Sequence, residues 1–139
     1  YTLPLGKADV KREGEDISVI TYGLMVHYCL EAARELADDG IEVEVVDLRT
    51  LRPLDIESIV STAEKTGKVL TVHEDTKAGG IGAEIAAIVA EHAFEYLDGP
   101  ISRVAGPEVP AMPFSPTLEA AFMPNAERIA EAIRRLATY

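Results

Sequence analysis

The stretch from Val72 to Ala86, VHEDTKAGGIGAEIA, combines a histidine and two acids with a glycine cluster that leads into a predicted helix. A nucleotide-binding fingerprint requires three glycines in the pattern GxGxxG. Gly80 and Gly82 supply the first two, but Ile85 stands where the third is needed, and the Gly-Lys-Ser/Thr of a phosphate loop is absent. Gly79, Gly80 and Gly82 therefore favour a tight turn that lets the helix pack close to the sheet. Weak anion binding by the backbone N–H groups stays open as an alternative.

Acid–base chemistry in this stretch falls to His73, Glu74 and Asp75. Because they are consecutive on an extended chain, they point alternately to opposite sides and do not converge on one metal ion. His73 and Glu74 are candidates for proton transfer, or for a ligand or interface contact, at a strand end. Cys29 lies on an apolar helical stripe and is expected to be a small buried hydrophobe. His92 lies on another such stripe and is expected to be a boundary histidine rather than a base.

Strands and helices alternate along the chain, and this alternation positions the glycine stretch. Two extended runs around residues 13–16 predict a hairpin, and a helical apolar period that begins at Met25 predicts a helix ending at Gly40. Asp55 and Gly67 are a suitable N-cap and stop for the next helix. The other predicted elements are strands at 41–48, 69–72 and 101–106, helices at 81–96, 118–122 and 126–139, and a proline-rich segment without regular structure at 107–116.

This pattern predicts an α/β domain, in which an open, mainly parallel sheet has helices on both faces and the hairpin adds an antiparallel edge. Ligands bind such sheets beyond the carboxyl ends of the strands. His73 directly follows the apolar run 69–72, so the glycine stretch lies where a site could form. We expect a single domain, with a linker and edge strand at 1–16 and the main body at 17–139.

The composition limits the classes of partner. The chain has 139 residues, with 24 acids against 13 bases and a net charge of −11. Such a charge repels nucleic acid and anionic membranes and favours basic partners, although it could also serve solubility alone. No apolar run approaches the roughly 20 residues of a membrane span. The lone cysteine, Cys29, rules out an internal disulfide framework and fits a reducing cytoplasm. The opening YTLPLGKADV has no signal-peptide pattern and suggests a piece of a longer chain.

The chain also resembles a known family over nearly its whole length. The segments that carry the resemblance are PLGKADVKREGEDISVITYG, LEAARELADDGIEVEVVDLRTLRPLD, VHEDTKAGGIGAEIA, YLDGPISRVAG, VPAMPF and MPNAERIAEAI, in this order. Together they resemble the C-terminal domain of the β subunit in the thiamine-diphosphate-dependent 2-oxo acid dehydrogenases. The most specific pieces are Glu44–Asp55 and Gly79–Ile85, because both the residue types and their spacing are kept.

The resemblance implies a transketolase C-terminal-like fold: three α/β/α layers around a mixed five-stranded sheet with one antiparallel edge strand. It implies a parent enzyme of α2β2 form that oxidatively decarboxylates a branched-chain 2-oxo acid, or pyruvate, and passes the acyl group to a lipoyl acyltransferase. Thiamine diphosphate and magnesium would lie between the α subunit and another domain of the β subunit. The resemblance therefore assigns no catalytic, cofactor-binding or metal residue to this segment, which would function in assembly and docking. The expected location is the cytoplasm or an organelle matrix.

The partners implied are the dehydrogenase α subunit, a second β subunit, and the basic peripheral-subunit-binding domain of a dihydrolipoyl acyltransferase. The family's docking contacts include an acid in an L-(D/E)-x-P turn and the terminal carboxylate. Here these correspond to Asp98, in the turn Leu97-Asp98-Gly99-Pro100, and to Tyr139. Gly99 departs from the alanine expected in the family.

Two other classes remain open at the level of sequence. One is the equivalent domain of a transketolase or a deoxyxylulose-phosphate synthase, in which the same fold ends a single long chain. The other is a freestanding, flavodoxin-like module that binds an anion or a nucleotide through the glycine-rich turn.

Overall fold

The structure, a computed structural model, describes residues 6–76, 80–106 and 125–139. The predicted proline-rich segment at 107–116 and the predicted short helix at 118–122 lie outside the described residues. The described elements are β1 (Asp9–Arg12), β2 (Ile17–Thr21), α1 (Met25–Ala37), β3 (Val43–Asp47), α2 (Ile56–Thr66), β4 (Val69–Thr76), α3 (Ile81–His92), a 3-10 turn (Phe94–Tyr96), β5 (Ser102–Gly106) and α4 (Ala126–Ala137).

The strands form one five-stranded sheet in the order β1-β3-β2-β4-β5. β2, β3, β4 and β5 are parallel, and β1 runs antiparallel to β3 at the edge. α1 and α4 cover one face with a core that includes Leu36 and Ile133, whereas α2 and α3 cover the other with a core that includes Ile59 and Ile85. This arrangement confirms the predicted α/β fold with a mixed five-stranded sheet and one antiparallel edge strand.

The predicted hairpin is wrong, because β1 does not pair with β2. Both edges of β2 are occupied by parallel neighbours: Ile17 aligns with Val43 of β3, and Ser18 aligns with Val69 of β4. The chain between β1 and β2 instead crosses the start of β3. Gly14 makes this crossing close, since a Cβ atom there would clash with the backbone carbon of Val43.

The helix ends follow the predicted capping chemistry in α2. Asp55 accepts a hydrogen bond from the Ser58 N–H at 3.1 Å, and Gly67 ends the helix in the left-handed region at φ 73°.

α3 is shorter than predicted, because the helix ends at His92 and Ala93 leaves helical geometry before the 3-10 turn. His92, expected as a boundary histidine on the apolar stripe, is exposed at the last residue of α3. After this early end the chain passes through the 3-10 turn and enters β5.

Candidate functional sites at the two ends of the sheet

The carboxyl end of β4 separates the two predicted acid–base residues. His73 is buried beneath α3, whereas Glu74 is exposed on the opposite side of the strand. They therefore alternate as expected for an extended chain and do not form a pair for proton transfer. A Cβ atom on Gly82 would contact His73 Nε2 and would lie 2.8 Å from both His73 Cδ2 and Thr71 Oγ1. This close approach agrees with the packing interpretation of the glycine turn.

The other glycines contribute less to a site. Gly80 precedes the first residue of α3 and has ordinary extended geometry, with φ −80° and ψ 164°. Gly79 lies outside the described residues. A cleft of about 740 Å³ opens between the segment 51–54 and the start of α3, and its charged lining residues are Arg52 and Glu84. Glu84 lies in the first turn of α3, where its charge opposes an incoming phosphate.

The described residues do not fit a thiamine diphosphate and magnesium site. Magnesium prefers carboxylate and phosphate oxygens that converge in an octahedron. Within residues 6–76, 80–106 and 125–139, no group of three or more His, Cys, Asp or Glu side chains is arranged to hold a metal ion. The cleft beside α3 offers one arginine and one opposing glutamate. No chemical step is therefore assigned to this cofactor within the domain.

The amino end of the sheet brings the two predicted docking residues together. The N–H of Asp98 donates a hydrogen bond of 2.7 Å to the Gly67 carbonyl, which fixes the turn below α2. Gly99, the next residue, packs against Tyr139, because a Cβ atom there would lie 3.0 Å from Tyr139 Cβ and 3.2 Å from its Cγ. Asp98 and Tyr139 are both exposed. The glycine that departs from the family pattern thus makes room for the tyrosine.

Lys68 is a residue of this surface that sequence reasoning missed. Its Nζ donates hydrogen bonds to the main-chain oxygen of Tyr139 at 2.6 Å and to the main-chain oxygen of Ala137 at 3.3 Å. Lys68 precedes β4, and 71 residues separate it from Tyr139 in sequence. It also lines a pocket of about 330 Å³ with three acids, Glu15, Asp16 and Asp98. The pocket is therefore acidic overall, although one lysine lies within it.

A buried polar network connects the sheet to α2. Glu44 is buried on β3, and its carboxylate accepts hydrogen bonds from Thr62 Oγ1 at 2.6 Å, Lys65 Nζ at 2.6 Å and the Gly14 N–H at 3.3 Å. Burial by itself raises the pKa of Glu44, but these three donors outweigh it and hold the pKa below its usual value. The one signal in the sequence was an acid placed between valines of a buried strand. The network stabilises the packing of α2 against the sheet.

Cys29 fulfils the expectation of a buried hydrophobe. It is fully buried on α1. Burial raises the pKa of its thiol to about 12, despite an opposing hydrogen bond with Thr21. The thiol is therefore protonated at neutral pH and cannot act as a nucleophile.

Comparison with known proteins agrees with the fold. The model for the transketolase C-terminal domain matches residues 6–129, so the chain belongs to that family. It is also 59% identical, over all of its length, to the 2-oxoisovalerate dehydrogenase subunit beta of Bacillus subtilis (strain 168), of which it covers 42%. It is 48% identical, over 98% of its length, to the mitochondrial pyruvate dehydrogenase E1 component subunit beta of Dictyostelium discoideum, of which it covers 38%.

These relatives confirm the resemblance to β subunits of 2-oxo acid dehydrogenases, and the chain spans less than half the length of each. Among solved structures, a split-gene transketolase described as an inactive β4 tetramer superposes with a TM-score of 0.87 at 29% identity. The match covers 99% of this chain and 44% of the transketolase chain. No helix within residues 6–76, 80–106 or 125–139 has the length and apolar character to cross a membrane.

Proposed function

We propose that this chain is the C-terminal assembly and docking domain of the β subunit of a 2-oxo acid dehydrogenase, with a branched-chain 2-oxo acid as substrate of the parent enzyme. The observation that carries the proposal is the 59% identity to the 2-oxoisovalerate dehydrogenase subunit beta along all 139 residues. The parent enzyme would decarboxylate the 2-oxo acid oxidatively and transfer the acyl group to a lipoyl acyltransferase. Pyruvate is the alternative substrate, because the pyruvate dehydrogenase relative is 48% identical.

In this proposal the parent enzyme uses thiamine diphosphate and magnesium, which bind outside this domain. The domain would assemble with the dehydrogenase α subunit and with a second β subunit, in the cytoplasm of a prokaryote or in an organelle matrix. No role with nucleic acid or a membrane is proposed, because the net charge of −11 opposes anionic partners. By itself the domain would be inactive.

The docking role is assigned to the surface formed by Asp98, Gly99 and Tyr139, with a basic binding domain of the acyltransferase as the partner. Two features support it. Asp98 is exposed beside two further acids, Glu15 and Asp16, in one pocket. Tyr139 is 66% exposed, yet its position is fixed on one side by Gly99. An exposed acid next to a fixed aromatic side chain suits a partner that offers a Lys or Arg with an apolar stem.

The test is a binding titration of the full-length β subunit, assembled with its α subunit, against the isolated binding domain of the acyltransferase. Asp98→Lys should weaken binding about tenfold or more, and the loss should depend strongly on salt. Glu31→Lys is the matched control, since it makes the same change of charge at an exposed position on α1. Equal affinity for the Asp98→Lys variant and this control would refute the docking role of Asp98.

A transketolase function is the second candidate, because the split-gene transketolase structure superposes at a TM-score of 0.87. The two functions differ in their substrates. The complete protein, with its α partner and thiamine diphosphate, is assayed for decarboxylation of branched-chain 2-oxo acids and for transfer of two-carbon units between sugar phosphates. Activity with the 2-oxo acids supports the first function, and activity only with sugar phosphates would replace it by the second.

A further inference from the structure

A second groove lies beside Tyr139, next to the acidic pocket that holds Asp98. It has a volume of about 390 Å³ and lies between the start of β5 and the last turns of α4. One wall is formed by residues 100–104 and the other by Ala132, Arg135, Leu136 and Tyr139. Because Gly99 packs against Tyr139, the groove and the acidic pocket occupy adjoining parts of one surface at the amino end of the sheet.

The charge of this groove is opposite to that of the chain. The protein has 24 acids and 13 bases, yet the charged side chain on the α4 wall of the groove is that of an arginine, Arg135. Ser102 lines the opposite wall. A guanidinium beside apolar residues suits a carboxylate, which accepts forked hydrogen bonds from arginine.

Arg135 and its neighbour Arg134 differ in what they contact. Arg134 on α4 pairs with Glu35 at 3.1 Å and with Asp39 at 3.4 Å, so its charge is used within the domain. Arg135 is exposed and forms no ion pair with any residue of the described ranges. Its guanidinium is therefore available to a group from outside the domain.

We propose that the docking surface is bipolar, and that the groove at Arg135 receives an acidic side chain of the same partner that places its basic face on Asp98. This inference rests on the docking function proposed above. Opposite charges on the two sides of Tyr139 fix the orientation of the docked domain, because a partner turned by half a revolution would meet like charges on both sides. The partner is thus a small basic domain that carries at least one exposed acid beside its basic patch.

Two adjacent substitutions test the inference on the full-length β subunit assembled with its α subunit. Arg135→Glu and Arg134→Glu each replace a positive charge by a negative one on the same helix. If only the overall negative charge attracted the basic partner, both variants would bind it equally well or more tightly, because each makes the protein more negative. The bipolar surface predicts instead that Arg135→Glu weakens binding of the acyltransferase domain about fivefold or more at physiological salt, while Arg134→Glu does not weaken it. Arg135→Lys, which keeps the charge and loses the fork, should fall between the parent and Arg135→Glu.

The thermal midpoint of each variant is measured alongside, so that a loss of folding is distinguished from a loss of contact. Binding by Arg135→Glu that equals or exceeds that of Arg134→Glu would overturn the bipolar surface. If Asp98→Lys still weakens binding in that case, the proposed docking function stands and only the groove is rejected. If the parent protein itself does not bind the domain, the docking function and the groove are both rejected.

Discussion

Gly82 offers the sharpest test of the packing role of the glycine stretch. In most helices an alanine in place of glycine stabilises the protein by about 1 kcal/mol, because alanine restricts the unfolded chain. At Gly82 the new methyl group would contact His73 Nε2 and approach two further atoms at 2.8 Å. His73 is 1% exposed, so its ring is enclosed by neighbouring atoms.

Overpacking of this kind costs about 1–3 kcal/mol. The steric cost at Gly82 lies in the upper part of that range, because three atoms are crowded at once. After the helix-propensity gain of about 1 kcal/mol is subtracted, Gly82→Ala should destabilise the protein by about 1–2 kcal/mol. For a chain of this size, that loss lowers the melting midpoint by roughly 3–8 °C.

The assay is urea unfolding followed by circular dichroism, with Ala87→Gly as the control. Ala87 is exposed on α3, so its replacement measures the propensity of this helix alone. In a His73→Ala background, the penalty of Gly82→Ala should fall by about 1 kcal/mol or more, because the closest contact is removed. A Gly82→Ala protein as stable as the parent would refute the packing role and return attention to ligand binding by the glycine turn.

Three further predictions follow from buried groups. The pKa of Glu44 in the folded protein lies below its unfolded value near 4.5, so the stability that Glu44 contributes is present above that pH and is lost as the pH falls through the folded pKa. The free energy of unfolding of Glu44→Gln should therefore fall less steeply with decreasing pH than that of the parent, and identical slopes would contradict this. Cys29 should react with a thiol reagent at pH 8 only after unfolding, and prompt reaction of the native protein would disprove its burial. Gly14→Ala should lower the free energy of unfolding, measured in urea, by about 3 kcal/mol or more, because the new methyl group would clash with the backbone of β3. A smaller decrease would show that the crossing segment can shift.

The sequence was sufficient where structure depends on local chemistry. Asp55 and Gly67 determine the ends of α2 through a side-chain cap and a left-handed residue, and both were identified from residue type and spacing. The alternation of strands and helices predicted the layers for the same reason. The predicted hairpin was wrong because β3 and β4 pair with both edges of β2, which leaves no edge for β1. The residue types at 9–21 do not indicate which strands pair with β2.

The candidate docking surface shows the same division. Asp98 and Tyr139 were chosen from a family resemblance, but their common location depends on contacts between distant parts of the chain. Lys68 has no unusual sequence context, and the contacts of Lys68 and Gly99 with Tyr139 exist only after the sheet and α4 have packed. Arg135 was likewise invisible, because its difference from Arg134 depends on which side of α4 faces α1.

The eight residues of β4 connect the two ends of the sheet, so the length of this strand gives the distance between them. At 3.3 Å per residue, the strand separates the candidate docking surface near Lys68 from Thr76 at its carboxyl end by about 26 Å. Each end is built from different loops, while β4 pairs with β2 over Val69–Val72 and with β5 as far as Thr76. We therefore expect that substitutions at the candidate docking surface leave the contacts at the opposite end of the sheet unchanged.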